Sequence, residues 1–370
     1  MSFTKRALFA ANLDSFHKRF HIPYIKNLQD KGYEVDLVSK GSETSISGAK
    51  KYNIAFARTP FSLINIKSFF KIRRLISSKK YDIIYFSTPI IGAFGRVALL
   101  GLDHGRVIYS AHGFNFYEGN SKLSNFVYSR IEGILAKLTD CVFTMNREDF
   151  AACKKYKIRP KELYNVDGVG IDTHAFTVPS YERKMQLRKQ YNYDEKDFIL
   201  IYPAELTKRK NQGLLISIVA ELVRKYSNVK LLLVGSGINE PIYKQLSSEL
   251  DLTDYVHFLG YRNDVVNLLQ MSDVLFASSK NEGLPVNIIE ALATGLPVVA
   301  TDTRGQNDLI QDGYNGFLFD MNQPMAAVEK ICKLIDDINL YNSMRKNAAK
   351  SAQRYDIINV LPQYDKIFQI

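Results

Sequence analysis

Short apolar runs alternate with stretches whose apolar residues recur every three to four positions, and the alternation continues along nearly the whole chain. Residues 7–12, 34–39, 83–87 and 107–110 predict strands, with helices predicted between them at 23–31 and 65–78. After a further strand at 163–166 comes Gly168-Val169-Gly170-Ile171-Asp172, with Pro179 beyond it, turn chemistry that marks a linker. A second series then begins. Strands at 198–204, 229–234, 256–259, 274–277 and 297–301 alternate with helices at 211–226, 241–250 and 285–294, and helices start again near 325 and 340. Apolar strands separated by crossover helices belong to parallel sheets covered on both faces. The predicted fold is therefore α/β, with two doubly wound Rossmann-like domains at 1–175 and 176–354 and a final helix from about 355 to 370 packing back on the first. Ligands of such sheets bind beyond the carboxyl ends of the strands, and two such domains facing each other would leave a cleft between those ends.

Composition adds limits. The 370 residues suffice for two cores, and 46% hydrophobic with 24% charged leaves no stretch too polar to fold. The longest uncharged run, 83–95, has 13 residues, short of a membrane span. The first residues lead straight into an apolar strand without a small-residue cleavage site, which predicts a cytoplasmic protein. Cys141, Cys153 and Cys332 lack metal-like spacing and predict neither disulfide nor zinc.

Charge changes the picture more. Of the net +11, all the excess lies before Ser180, with 27 Lys and Arg against 15 Asp and Glu there, and 22 against 23 after it. A basic first half predicts an anionic partner, a membrane surface or a lipid diphosphate, unless the charge is only a solvated face; no nucleic-acid motif accompanies it. The basic amphipathic segment 61–80 fits a helix lying on an anionic membrane, and equally a crossover helix covering the sheet.

The stretch 278–297 carries the densest chemistry. Gly283 permits close backbone approach, and Pro285 suits a helix's first turn, so amides near Gly283, Leu284 and Val286 open a helix and form an anion site fit for a diphosphate. Glu290 is the only charged residue between Glu282 and Asp302, in an otherwise largely apolar helix. Such a carboxylate needs a partner, either a ribose hydroxyl or a loop that it caps. Glu282 and Glu290, with Gly-Leu-Pro after the first and Gly-Leu-Pro-Val-Val at 295–299, resemble the signature of family 4 glycosyltransferases, retaining enzymes of the GT-B fold. The resemblance implies that Glu282 touches donor-sugar hydroxyls, that Glu290 holds the ribose and that Gly283, Leu284, Pro285 and Val286 line sugar and phosphate.

Other segments extend it. Lys208-Arg209-Lys210 follows a strand; three cations there suit an anion, since unit charges 4 Å apart gain about 4 kcal/mol at an effective dielectric of 20, or else form a solvated run. The family resemblance puts Lys210 on the diphosphate, while Glu205 stands where an arginine is usual and Arg209 could substitute. His112, beside Gly113, Phe114 and Tyr117, reads by itself as a core histidine or a catalytic one; the resemblance implies contact with the transferred sugar, and the neighbouring Phe114, Phe116 and Tyr117 are candidates to shape an acceptor pocket. Gly235 and Gly237 match the open donor pocket, and Tyr261 with Arg262 the loop that reads the base. Near the N-terminus, Asp14, His17 and His21 resemble transferases of bacterial capsule and exopolysaccharide assembly and are candidate acceptor contacts.

The resulting expectation is a retaining transferase of hexose or N-acetylhexosamine from a UDP-sugar to a polyprenyl-diphosphate-linked glycan, without metal or other cofactor and peripheral on the inner face of the plasma membrane. A nucleotide-sugar epimerase of the same architecture and a non-catalytic nucleotide-sugar-binding protein are the alternatives. A dinucleotide dehydrogenase is disfavoured because no Gly-x-Gly-x-x-Gly follows the first strand.

Overall fold

In the computed structural model, residues 5–57 and 59–370 are described, and they form two compact units. Residues 1–4, which entered the reading of the N-terminus, lie outside the described residues. The first unit runs to Gly170 and takes up Ile357–Ile370; the second is Ile171–Asp356. The division after Gly170, five residues before the sequence-based boundary of 175, follows from local pairing, because the Ile171 N–H bonds the Tyr355 carbonyl at 2.9 Å and ties the start of the second unit to its end.

Strands of the first unit are β1 (Arg6–Leu13), β2 (Glu34–Lys40), β3 (Ser45–Ile46), β4 (Ala49–Asn53), β5 (Ile83–Phe86), β6 (Arg106–Ala111), β7 (Cys141–Thr144) and β8 (Glu162–Asn165). Their order is β3-β4-β2-β1-β5-β6-β7-β8, parallel except for the short β3–β4 hairpin. Ala7 sits beside Val35 on one side and Ile83 on the other, so β1 is central and the order reverses between β1 and β5. The two faces explain the apolar strands: Leu8, Phe9, Ala10, Ile84, Tyr85 and Phe86 are all buried. Helix Ile357–Phe368 covers one face, with Tyr364 stacked on Tyr24 at 3.9 Å and the Arg106 Nε donating to the Ile367 carbonyl at 2.8 Å.

The second unit holds β9 (Phe198–Pro203), β10 (Val229–Val234), β11 (Val256–Gly260), β12 (Val274–Ala277), β13 (Val298–Thr301) and β14 (Gly316–Phe319). All are parallel, in the order β11-β10-β9-β12-β13-β14. Here the order reverses between β9 and β12. The loops after those strands are 204–211, which carries Lys208, Arg209 and Lys210, and 278–285, which carries Glu282 and Gly283.

The structure adds elements that apolar patterning did not single out: β7, β14 and helix Lys122–Ala136 among them. Among the described residues, no helix is long and apolar enough to cross a membrane.

Candidate active site

At the reversal point of the second unit the loops after β9 and β12 are bonded together. Ser278 Oγ donates to the carbonyls of Lys210 and Asn211, each at 2.9 Å, and the Lys280 N–H donates to the Arg209 carbonyl at 2.9 Å. Asn211, left-handed at φ +59°, turns the chain from these loops into helix Gln212–Val223. The effect is to converge three side chains on one oxygen. Glu282 Oε1 lies 2.6 Å from Lys210 Nζ, 2.7 Å from Arg209 Nη1 and 2.6 Å from Ser279 Oγ.

Glu282 and Lys210 are nearly withdrawn from water, with 11% and 12% of their side chains exposed. Burial pushes the Glu282 carboxyl upward, but the Lys210 and Arg209 cations outweigh it and hold the group below its ordinary value, ionised at neutral pH. Behind it, Tyr202 Oη and Ser279 Oγ are 2.6 Å apart; with the Ser279 proton directed to the carboxylate, Tyr202 donates to Ser279. Burial first and the Glu282 charge second push the Tyr202 phenol well up, so it remains a donor.

A third strand end completes the support. Thr301 Oγ1 and Gln306 Nε2 donate to the Ser279 carbonyl at 2.7 and 3.0 Å, and Arg304 Nε donates to the Glu282 carbonyl at 2.9 Å. A Cβ on Gly305, at φ +81°, would come within 2.5 Å of the Gly283 carbonyl oxygen, so this loop packs directly on Gly283. Helix Val286–Ala293 begins one residue later than Pro285 was expected to place it; Pro285 is its extended N-cap, at φ −74° and ψ 107°. Asn287 Nδ2 pins that helix start to β9 through the Pro203 carbonyl at 2.9 Å. The opening amides of an α-helix have no partner within it and carry the positive end of its dipole. The helix opening therefore adds positive potential beside Leu284 and Val286, close in sequence to the Glu282 cluster.

Glu290 lies on this helix between buried Ile289 and Ala291 but is itself half-buried. Its apolar neighbours implied a deeper position than the structure gives. Gly235 and Gly237 serve close packing: a Cβ at Gly235 would meet the Ala204 oxygen at 2.3 Å and one at Gly237 the Leu206 oxygen at 2.2 Å. Their bare backbones let the loop after β10 lie on the loop after β9. Tyr261 is 78% exposed, whereas Arg262 turns to Asp264, with Nη2 2.5 Å from Oδ2, and holds that carboxyl down at about 2.

In the first unit the loop after β6 carries His112, its Nε2 buried and without a hydrogen-bond partner among the described residues. Burial depresses its pKa to about 4. Phe16 meets the ring edge-on at 5.0 Å. His17 and His21 were expected to touch an acceptor; they are 0% and 1% exposed, and so lie within the unit instead. His17 Nε2 is 3.1 Å from the Val38 carbonyl, which can only accept, so His17 donates there and its Nδ1 accepts from His21 Nδ1 at 2.8 Å. Both rings are neutral, burial lowering His17 to about 4 and holding His21 well below the ordinary histidine value.

Asp14 is also corrected. Its carboxylate accepts from Ser39 Oγ at 2.6 Å and the Glu43 N–H at 3.1 Å, and pairs at 3.2 Å with Lys51, whose side chain is fully buried. It is a structural lock at the end of β1. Phe114 stacks on Phe116 at 4.5 Å inside the core, which removes it from a pocket wall. Tyr117, unlike its neighbours Phe114 and Phe116, borders open space, a groove of about 1070 Å³. The residues missed by sequence reasoning, Ser279, Asn287, Thr301, Arg304 and Gln306, are polar groups at strand and helix ends whose signal was position after an apolar run rather than charge.

Two family matches cover most of the chain: Glycosyl transferases group 1 over residues 183–351 and Glycosyl transferase 4-like over 6–146. A protein of Bacillus subtilis (strain 168) provisionally named glycosyltransferase EpsD is 33% identical over 99% of this chain and 96% of its own. The UDP-Gal:alpha-D-GlcNAc-diphosphoundecaprenol alpha-1,3-galactosyltransferase of Escherichia coli is 27% identical over 82% of this chain and 78% of its own. Among solved structures, Anabaena Alr3699/HepE in complex with UDP and glucose superimposes with a TM-score of 0.83 at 22% identity, covering 99% of both chains.

Proposed function

The chain belongs to the family 4 glycosyltransferases, enzymes of the GT-B fold, and we propose that it transfers a hexose or N-acetylhexosamine with retention from a UDP-sugar to a glycan carried on a polyprenyl diphosphate, in bacterial surface polysaccharide synthesis. The observation that carries this reading is the convergence of Lys210 and Arg209 on the buried Glu282 beside the opening of helix Val286–Ala293. Two cations and a helix dipole suit a diphosphate, and a carboxylate among them suits sugar hydroxyls. The Escherichia coli relative is named for a UDP-linked donor and a diphosphoundecaprenol-linked acceptor, which supports the same pair of substrates here.

On this reading the donor diphosphate takes over Lys210 and Arg209, and Glu282 turns its acceptance to the sugar. The bond from the anomeric carbon to the diphosphate breaks as the acceptor oxygen bonds to the same face, and the acceptor proton passes to the departing phosphate oxygen. Charge on that leaving group is what the cations and helix opening stabilise, an effect of about 2.7–4 kcal/mol for one such donor in other enzymes. Glu290 holds the ribose and Tyr261 lies against the base, with Arg262 behind it. His112, neutral at physiological pH, contacts the sugar as a hydrogen-bond partner rather than as a cation. The charge of the first half fits an anionic membrane surface as the place of work.

The test is incubation of the purified chain with a panel of UDP- and other nucleotide sugars and a polyprenyl-diphosphate-linked acceptor, followed by NMR of the product. Transfer with an α-linkage from an α-linked donor is expected. Interconversion of the donor without acceptor would identify an epimerase instead, and binding without turnover a sensor.

A further inference from the structure

Helix Lys122–Ala136 is inside out. Its inward face carries Ser129 and Glu132 beside Leu135 and Ala136, while Leu123, Phe126, Val127, Tyr128, Ile131 and Ile134 are each between 39% and 73% exposed. A helix covering a sheet normally shows the reverse pattern. The inversion is locked: Glu132 forms a two-pronged pair with Arg96, Oε1 to Nη1 at 2.6 Å and Oε2 to Nη2 at 3.1 Å, and the fully buried guanidinium lies 3.9 Å over the Tyr109 ring. Turning the apolar side inward would strip Arg96 of its partner, which is strongly unfavourable for a buried ion.

This face does not stand alone. Helix Pro89–Ala98 packs between helix Lys122–Ala136 and helix Leu63–Lys79, whose opening exposes Phe61, Leu63, Ile64, Ile66 and Phe70. Arg73 Nη1 bonds the Ala98 and Leu100 carbonyls, both at 2.7 Å, joining that helix to its neighbour. As right-handed crossovers between parallel strands progressing one way, all three lie on one face of the sheet and start from the strands' carboxyl ends, the end where the His112 loop sits. Cations flank the apolar side chains: Lys122, Arg130, Lys137, Lys155 and Lys157 outnumber Glu118 and Glu148 along the groove of about 1070 Å³ beside the helix.

We infer that the outer surface of helix Lys122–Ala136, together with the opening of helix Leu63–Lys79, docks on an anionic lipid bilayer. Phe126, Ile131 and Ile134 enter the acyl boundary, while Lys122, Arg130 and Lys137 stand at the level of the lipid phosphates. The complementarity selects this occupant over a second copy of the chain, whose matching face would set like charges against each other. For its purpose the surface rests on the proposed lipid-linked acceptor, since it brings the bilayer to the end of the sheet that holds His112.

The experiment is co-sedimentation of the full chain with vesicles of phosphatidylglycerol and phosphatidylcholine, and with phosphatidylcholine alone. Strong binding to the anionic vesicles at low salt is expected, lost at high salt. The triple variant Phe126→Ser, Ile131→Ser, Ile134→Ser should bind about tenfold more weakly or worse. Its melting temperature and its UDP affinity should match the parent, which excludes unfolding as the cause. Equal binding of variant and parent, or no binding of the parent to anionic vesicles, overturns the inference. So does a dimer in light scattering that the triple variant dissolves, because the second copy is then the occupant. Vesicle binding needs neither donor nor acceptor, so failure of sugar transfer in the assay above leaves this result readable by itself.

Discussion

The two strand-end sites are built on opposite electrostatic plans. Beyond β9 and β12 the second unit gathers full charges, Glu282 with Lys210 and Arg209, and holds them by backbone contacts from three loops. Beyond β1 and β6 the first unit gathers neutral rings, His17, His21 and His112 among Phe16 and Tyr85, and the Asp14 carboxylate there is engaged by Lys51 and Ser39. The contrast teaches that the electrostatics of one site suit the charged ligand proposed for it, while the other sets a polar atom in apolar surroundings.

The contrast should break most visibly at Lys210. Lys210→Ala removes one of the two cations on Glu282 and is expected to weaken UDP binding about tenfold to a hundredfold, the worth of a hydrogen bond to a charged group, as read by calorimetry. Equal affinity in variant and parent would mean that the charges are purely structural. Next in size is Gly235→Ala, whose Cβ would clash with the Ala204 oxygen at 2.3 Å on backbone at φ +142°. A stability loss of about 1–3 kcal/mol in urea unfolding is expected, with donor affinity falling alongside it.

The neutral site should show itself through pH. Folded-state pKa values near 4 for His17 and His112, against 6.5 as the reference, mean that the unfolded chain binds these protons first. Their contribution to stability is complete above about 6.5 and is lost as pH falls from there toward 4. The urea midpoint should therefore decline between pH 6.5 and 5, and His17→Asn should flatten that decline while the UDP affinity stays unchanged. The smallest effect is expected from Arg262→Ala, since this guanidinium is turned to Asp264 at the surface; its melting temperature should be indistinguishable from that of the parent.

Much of the second unit was legible before any coordinates, because its chemistry lies in residues that are unusual where they stand. Three cations after an apolar strand, or a glutamate followed by Gly-Leu-Pro, stand out against their surroundings. The strand order and the place where it reverses then follow from alternation and connection rules. The first unit was less legible for the opposite reason. A histidine one residue beyond a strand and a histidine under a helix look alike in sequence; the structure sets them apart by residue exposure, with His112 half-buried and His17 and His21 at 0% and 1%. Asp14 misled similarly, since its partners Ser39, Glu43 and Lys51 are 25 to 37 residues away. Helix Lys122–Ala136 escaped notice because its apolar residues face outward, so periodicity alone could not tell covered from exposed.

The central claim is that Glu282 acts on the donor sugar while the cations around it act on the diphosphate. The direct measurement is UDP affinity and sugar-transfer rate for Glu282→Gln beside the parent enzyme, with equal melting temperatures as the control. The account predicts transfer reduced about a hundredfold or more, with UDP bound as tightly as before or tighter, because the isosteric amide releases Lys210 and Arg209. Unchanged transfer, or UDP affinity lost in step with activity, would contradict it.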